Sequence, residues 1–194
     1  MKHEVTSLNT KKLLAESLKK AMQKKTFSKI TVSEIIADCG LNRKTFYYHF
    51  EDIYALLKWM LEEEAIEVVK NFDLLVDYEE AITFVMDYVE NNKHIINCVY
   101  DSIGRDEMKR FFYSDFIELV SSVIDKSEDM VGLYLNPEYK IFISNFYTEA
   151  LSGMLIDWIK ERETRDRNKV VSYISNTFKA SLTGILNEYG VKKE

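Results

Sequence analysis

One proline, six glycines and two cysteines among 194 residues leave little material for sheet-bounding turns or a covalent scaffold. The two cysteines, Cys39 and Cys98, are far apart and have no metal-ligand spacing, so neither a disulfide framework nor a zinc site is expected, and a reducing cytoplasm fits best. Histidine is equally scarce: His3, His49 and His94 form no pair spaced to hold a metal. Glycine-rich phosphate loops are absent, and Cys39, in a helix turn, is better explained as a small buried residue than as a nucleophile. No stretch approaches the 18 apolar residues that cross a bilayer, and "MKHEVTSLNTKK" lacks the apolar core of a signal peptide. These gaps argue against an enzyme, a metal or other cofactor, and a membrane location.

What is present favours helix. The chain is rich in Leu, Ile, Lys and Glu, is 46% apolar, and carries 12 Tyr and 11 Phe, enough for an aromatic interior in an all-α fold. Its net charge of -6 hides an asymmetry. Residues 1–50 hold ten Lys and Arg against four Asp and Glu, net +6; residues 51–194 hold sixteen against twenty-eight, net -12. A basic head on an acidic body suits a protein that offers one end to a polyanion.

From Asn9 or Thr10 to Lys24, Leu14, Leu18, Ala21 and Met22 recur on one helical face. Thr31 with Glu34 is a capping-box pair ahead of Ile35, Ile36 and Ala37, and Gly40 is placed to end that helix. Asn42 is the expected N-cap of a third short helix, Arg43 to Tyr48, anchored by Phe46. Two short helices joined by a three-residue turn make a helix-turn-helix. Longer helices are expected at Asp52–Asn71, Tyr78–Asn91, His94–Ile103 and Asp106–Asp125, then from Pro137, capped by Asn136, to Ile159, and from Asn168 to Tyr189 before Gly190. "KSEDMVGLYLNP" and "KERETRDRNK" are expected as breaks.

In a helix-turn-helix the second short helix enters the major groove. Asn42, Arg43, Lys44 and Thr45 are then the candidates for base edges and phosphates. Tyr47, Tyr48 and His49 form a wall of hydrogen-bond donors along the sugar-phosphate backbone, and the helix start at Thr31 offers free amides to a phosphate. Tyr47 has a competing role in packing its own short helix.

The stretch "TVSEIIADCGLNRKTFYYHFEDIYALL" resembles the DNA-binding signature of the TetR family of bacterial one-component regulators, over about a quarter of the chain from Leu13 to Leu57. The resemblance implies a helix-turn-helix DNA-binding domain at 1–51 and a helical effector-binding and dimerisation domain at 52–194. It implies backbone contacts from Thr31, Tyr47, Tyr48 and His49, with base reading around Asn42 to Thr45. It further implies a homodimer on a palindromic double-stranded operator, with repression as the habitual output. Family members often carry lysine where this sequence has Glu51 and Ile53, so two phosphate anchors are missing and tight, salt-tolerant binding is not expected.

The last two helices each present two apolar faces, which suggests that one packs on the body and the other on a second copy. Leu151, Met154, Trp158, Ile174, Phe178, Leu182 and Ile185 are the dimerisation candidates; Val170, Tyr173, Thr177, Ala180 and Gly184 form a face of smaller residues. A small, partly apolar effector held in the body would draw on Trp59, Met86, Met108, Phe111, Phe112, Tyr113, Phe116, Phe146, Tyr147 and Met154, with Asn97, Tyr100 or Tyr147 as polar contact. The alternative is a body that docks a protein co-regulator, as in activators of dihydroxyacetone-kinase operons that look similar in "NRKTFYYHF". A cavity with convergent polar groups would favour the first, and a filled core with an exposed apolar patch the second.

Overall fold

The structure, a computed structural model, describes residues 2–66, 78–160 and 166–192. These residues are all-α apart from one bridge between Tyr134 and Val191. The helices are α1 (Lys2–Met22), α2 (Val32–Cys39), α3 (Arg43–His49), α4 (Ile53–Leu61), α5 (Tyr78–Asn91), α6 (Lys93–Val131), α7 (Pro137–Lys160) and α8 (Arg167–Tyr189). A 3-10 turn at Phe27–Lys29 joins α1 to α2, and a wider π turn, Glu62–Ile66, extends α4. The end of the helix expected to reach Asn71, and most of the expected break after Lys160, lie outside the described residues.

Local hydrogen bonding sets most boundaries. Thr31 and Glu34 close a reciprocal box, with Thr31 N donating to Glu34 Oε2 at 2.9 Å and Glu34 N to Thr31 Oγ1 at 3.4 Å. Gly40 ends α2 at φ 64°, a left-handed conformation costly for any side chain with a Cβ. Asn42, Asp52 and Asn136 each accept a backbone N–H of the helix they start. Thr31→Ala removes one half of the box, so thermal unfolding should fall by about 2–4 °C, from roughly 1 kcal/mol of capping. An unchanged midpoint in calorimetry would show the box to be idle.

Two expected boundaries are corrected, the start of α1 and the end of α6. Helix α1 starts at Lys2, not near Thr10, because nothing in residues 2–10 breaks it; Thr10 Oγ1 is absorbed by donating to Thr6 O at 2.9 Å, one turn back. The two helices expected after residue 93 are found as two, divided at Gly104, whose φ of 79° and ψ of 175° are not helical; α6 thus comprises residues 93–103 and 105–131. The second part runs on through the polar "KSEDMV" to Gly132. Glu128 is buried there, accepting from Leu135 N at 2.8 Å and Lys140 Nζ at 2.7 Å, so a carboxylate that reads as loop ties the α6–α7 connection together. As expected, α8 ends at Tyr189 and is followed by Gly190. That glycine is extended, and a Cβ there would lie 2.4 Å from Leu186 O and 2.8 Å from Leu133 Cβ.

One apolar core runs without interruption from Leu14, Leu18, Ile35 and Phe46 in α1–α3, through Leu56 and Met60 in α4, to Ile96, Met108, Phe112 and Ile156 in α6 and α7. A second gathers Ile124, Ile143, Tyr147, Leu182 and Leu186 around α6–α8. Both thiols are tucked against backbone, Cys39 Sγ on Leu13 O and Cys98 Sγ on Lys25 O. Burial pushes both above the ordinary thiol pKa, which makes them poor nucleophiles. No helix among the described residues is long and apolar enough to cross a membrane.

Candidate functional site

The geometry of α3 follows from one anchor. Phe46 is fully buried, and the helix pivots on it so that its opposite flank faces outward. Tyr47 and Tyr48 are 55% and 81% exposed, Asn42, Arg43 and Lys44 lie on the same open side, and Thr45 is half-buried. Tyr47 therefore touches the core only through the edge of Phe46, at 5.4 Å between ring centres. Two large, mostly exposed aromatics beside two cations make a surface suited to an outside partner. Arg43 is held by donating to Ser33 Oγ at 2.6 Å, which links α3 to α2. Asn42 accepts from Thr45 N and Oγ1, so its carbonyl is engaged in capping while its amide group remains to donate.

His49 sits at the end of α3, half-buried, against the Tyr48 ring and 3.5 Å from Ser7 Oγ. Burial, then the neighbouring Lys11 charge, lower its pKa from the ordinary imidazole value. The free protein therefore holds His49 neutral near pH 7. If His49 meets a phosphate, as the family resemblance implies, the cation is favoured in the complex and binding takes up a proton. Affinity should rise as pH falls from 7.5 towards the lowered pKa and level off below it, and His49→Gln should flatten that slope in fluorescence anisotropy titrations. Lys11, which periodicity alone does not single out, lies over the Phe50 and Trp59 rings at 5.7 and 5.4 Å, joining the N-terminal helices to α4.

A second feature lies in the body. Helices α5, α6, α7 and α8 line an apolar pocket of about 140 Å³ that opens partly to solvent beside Met154, walled by Ala81, Ile82, Val85 and Met86, by Phe116, Leu119, Val120 and Val123, by Leu151, Met154, Leu155 and Trp158, and by Val170, Ile174 and Phe178. No charged side chain lines it. Of the effector candidates Met86, Phe116 and Met154 are in this wall; Phe112 stacks on Phe116 at 5.9 Å. Trp59 belongs to the α3–α4 joint, 5.8 Å from Phe50. Asn97 is exposed, Tyr100 is half-buried against the first core, and Phe146 is exposed. Tyr147 is buried, 4.5 Å from the Phe178 ring, with its hydroxyl 2.5 Å from Ser181 Oγ.

The dimerisation candidates lie at different depths in the single chain. Trp158 and Leu182 are each only 5% exposed, Leu151, Ile174, Phe178 and Ile185 are half-buried, and Met154 is 42% exposed at the pocket. Much of this stripe faces the body. The outward face is the other one: Phe142 (61% exposed) and Phe146 (58%), stacked at 6.4 Å, with Ala150 on α7, and Tyr173, Thr177, Ala180 and Gly184 on α8. Among the described residues no group of three His, Cys, Asp or Glu could hold a metal.

A family model described as "Bacterial regulatory proteins, tetR family" matches residues 16–60, and one described as "Transcriptional regulator C-terminal region" matches residues 77–187, more than half of the chain. The chain belongs to the TetR family. It is thus a DNA-binding transcriptional regulator, with its helix-turn-helix where α2 and α3 lie. This regulator is 22% identical, over 76% of its length and 78% of the other's, to the HTH-type dhaKLM operon transcriptional activator DhaS of Lactococcus lactis subsp. lactis (strain IL1403). Among solved structures it resembles a dihydroxyacetone kinase operon activator DhaS (TM-score 0.68, 21% identity, 94% of this chain and 98% of that one). A TetR transcriptional regulator from Streptococcus agalactiae 2603V follows (0.57, 22%, 96% and 98%). NalD, the secondary repressor of the MexAB-OprM multidrug efflux pump in Pseudomonas aeruginosa, is more distant (0.51, 16%, 88% and 95%). At these identities the structural likenesses carry the fold.

Proposed function

We propose that this regulator binds a palindromic operator as a homodimer and represses transcription, with its DNA affinity controlled by a small molecule in the body cavity. The observation that carries this reading is the cavity itself, a void among four helices that also carry the outward face of α7 and α8. Residues 1–51 supply the DNA-binding part and 52–194 the effector and dimer part. Bases and phosphates are met by Asn42, Arg43, Lys44, Thr45, Tyr47, Tyr48 and His49, with the α2 start at Thr31 on the backbone. A single unit of this size touches too few bases for specificity, and a two-fold dimer matches a two-fold site. Repression is proposed because it requires only occupancy of the operator. The relatives include both an activator and a repressor, so a reporter gene downstream of the selected operator reads the sign.

Selection from random duplexes with the purified protein should recover two half-sites related by symmetry; no enriched motif at moderate salt would overturn the specific-binder reading. Leu119→Trp places an indole into the cavity. It should keep operator binding within about twofold while abolishing release by any effector found for the unaltered protein. If Leu119→Trp still responds, the effector acts elsewhere, and the alternative of a docked protein partner takes its place.

A further inference from the structure

Head and body meet along α1 and α4. Lys11 lies over the Phe50 and Trp59 rings, and Ala15 and Leu18 are buried in the core that the two parts share. Such contacts hold elements together without fixing an angle between them, because the hydrophobic effect has no direction. Two turns beyond Lys11 the joint becomes directional. Lys19, on α1, forms an ion pair with Glu64 Oε1, and Tyr88, on α5, donates its hydroxyl to Glu64 Oε2 at 2.9 Å. Each oxygen of one carboxylate thus takes one partner, the first from the head and the second from the body. The Lys19 and Glu64 side chains are only 20% and 30% exposed, so salt and water weaken the pair less than they would at the surface. Glu16, exposed and 3.9 Å from Lys19, is the weaker second partner. Burial first, then the Glu64 charge, push the Tyr88 phenol above its ordinary pKa, so it remains a donor. Glu64 itself lies in the π turn that extends α4, a rare geometry frequent at functional positions.

Resting on the homodimer and palindromic operator proposed above, we infer that Lys19, Glu64 and Tyr88 are positioning residues that set the separation of half-sites the dimer accepts. The subunits are joined at α7 and α8, whereas the recognition helices are carried by the heads. The distance and angle between those helices are therefore decided at the two head–body joints. Moving a half-site by one base pair displaces it by about 3.4 Å and turns it by roughly 35° about the duplex axis. An operator of altered spacing is bound only if the joints give, and directed bonds resist that turn where apolar contacts slide.

The probes are the selected operator, the same operator with one base pair inserted or removed at its centre, and a duplex holding a single half-site. In fluorescence anisotropy with the full-length protein, the selected spacing should be preferred by about tenfold or more. Tyr88→Phe, which removes only the hydroxyl, and Lys19→Met should each cut that preference about fivefold while leaving half-site affinity within about twofold. Lys19→Arg keeps the ion pair and should keep the preference. A merely structural role would lower the unfolding midpoint, or all affinities alike, without moving the ratio between spacings. An unchanged ratio in both Tyr88→Phe and Lys19→Met would overturn the inference, as would an unaltered protein indifferent to spacing; either result leaves the dimer reading standing. Recovery of an isolated half-site in the selection would overturn the dimer reading, and this inference with it.

Discussion

Replacing Tyr48 and Lys44 together by alanine is expected to weaken operator binding by about a hundredfold while leaving the thermal unfolding midpoint within a degree or so. The stability half rests on exposure: Tyr48 is 81% exposed and Lys44 lies on the same open flank, so neither removes core packing. The affinity half rests on the number of contacts. A dimer loses four groups, and hydrogen bonds to charged phosphates contribute about 1.5 kcal/mol or more each before the lost contacts are partly replaced by water. Lys44 acting on phosphate also predicts that the slope of log affinity against log salt becomes shallower by about two, one for each protomer. If Lys44 instead reads a base, the slope stays and the selected motif loosens at one position in each half-site. A loss of less than threefold would remove this flank from the DNA interface.

Placing Glu at both Phe142 and Phe146 is expected to convert a dimer into a folded monomer and to abolish specific operator binding at sub-micromolar concentration. Both side chains stand on the outward face, where their stacked rings have no cover in the single chain, so burying them against a second copy accounts for their character. Two carboxylates per protomer, facing the same patch on its partner, would have to be desolvated beside like charge. The contrasting variant, Phe178→Glu, should lower stability instead, because Phe178 packs on Tyr147 at 4.5 Å and lines the apolar pocket. Sedimentation velocity separates the two outcomes. A monomer for the unaltered protein at micromolar concentration would refute the arrangement.

The parts of this fold that could be read in the sequence are those governed by bonds three or four residues long. Thr31 with Glu34, Gly40, Asn42 and Asn136 before Pro137 each set a helix end through a local group, and each is found where expected. The exposure of Tyr47, Tyr48 and the neighbouring cations followed from Phe46 as the anchor of a short helix. Which face of α7 and α8 turns inward could not be read, because both faces are apolar at the same period and the choice depends on α5 and α6, far away in the chain. In the single chain Ile174, Phe178 and Leu182 turn toward the body more than the smaller Thr177, Ala180 and Gly184 do. The pocket was legible only in part. Met86, Phe116 and Met154 are in its wall, whereas Trp59, Asn97 and Tyr100 are not, because the wall is mostly aliphatic and a void is a property of how four helices meet. The length of α6 was hidden by Glu128, whose burial depends on Lys140 and the Leu135 amide across the connection.

Helices α7 and α8 have their inner sides in the cavity wall, through Leu151, Leu155, Trp158, Val170 and Ile174, and their outer sides on the face proposed to meet a second copy. A helix is too stiff to shift one side and keep the other, so an occupant that spreads these two rods in one subunit reaches the wall of the other subunit's chamber. The two chambers of a dimer would then fill cooperatively, giving a saturation curve steeper or shallower than a hyperbola, with a Hill coefficient different from one.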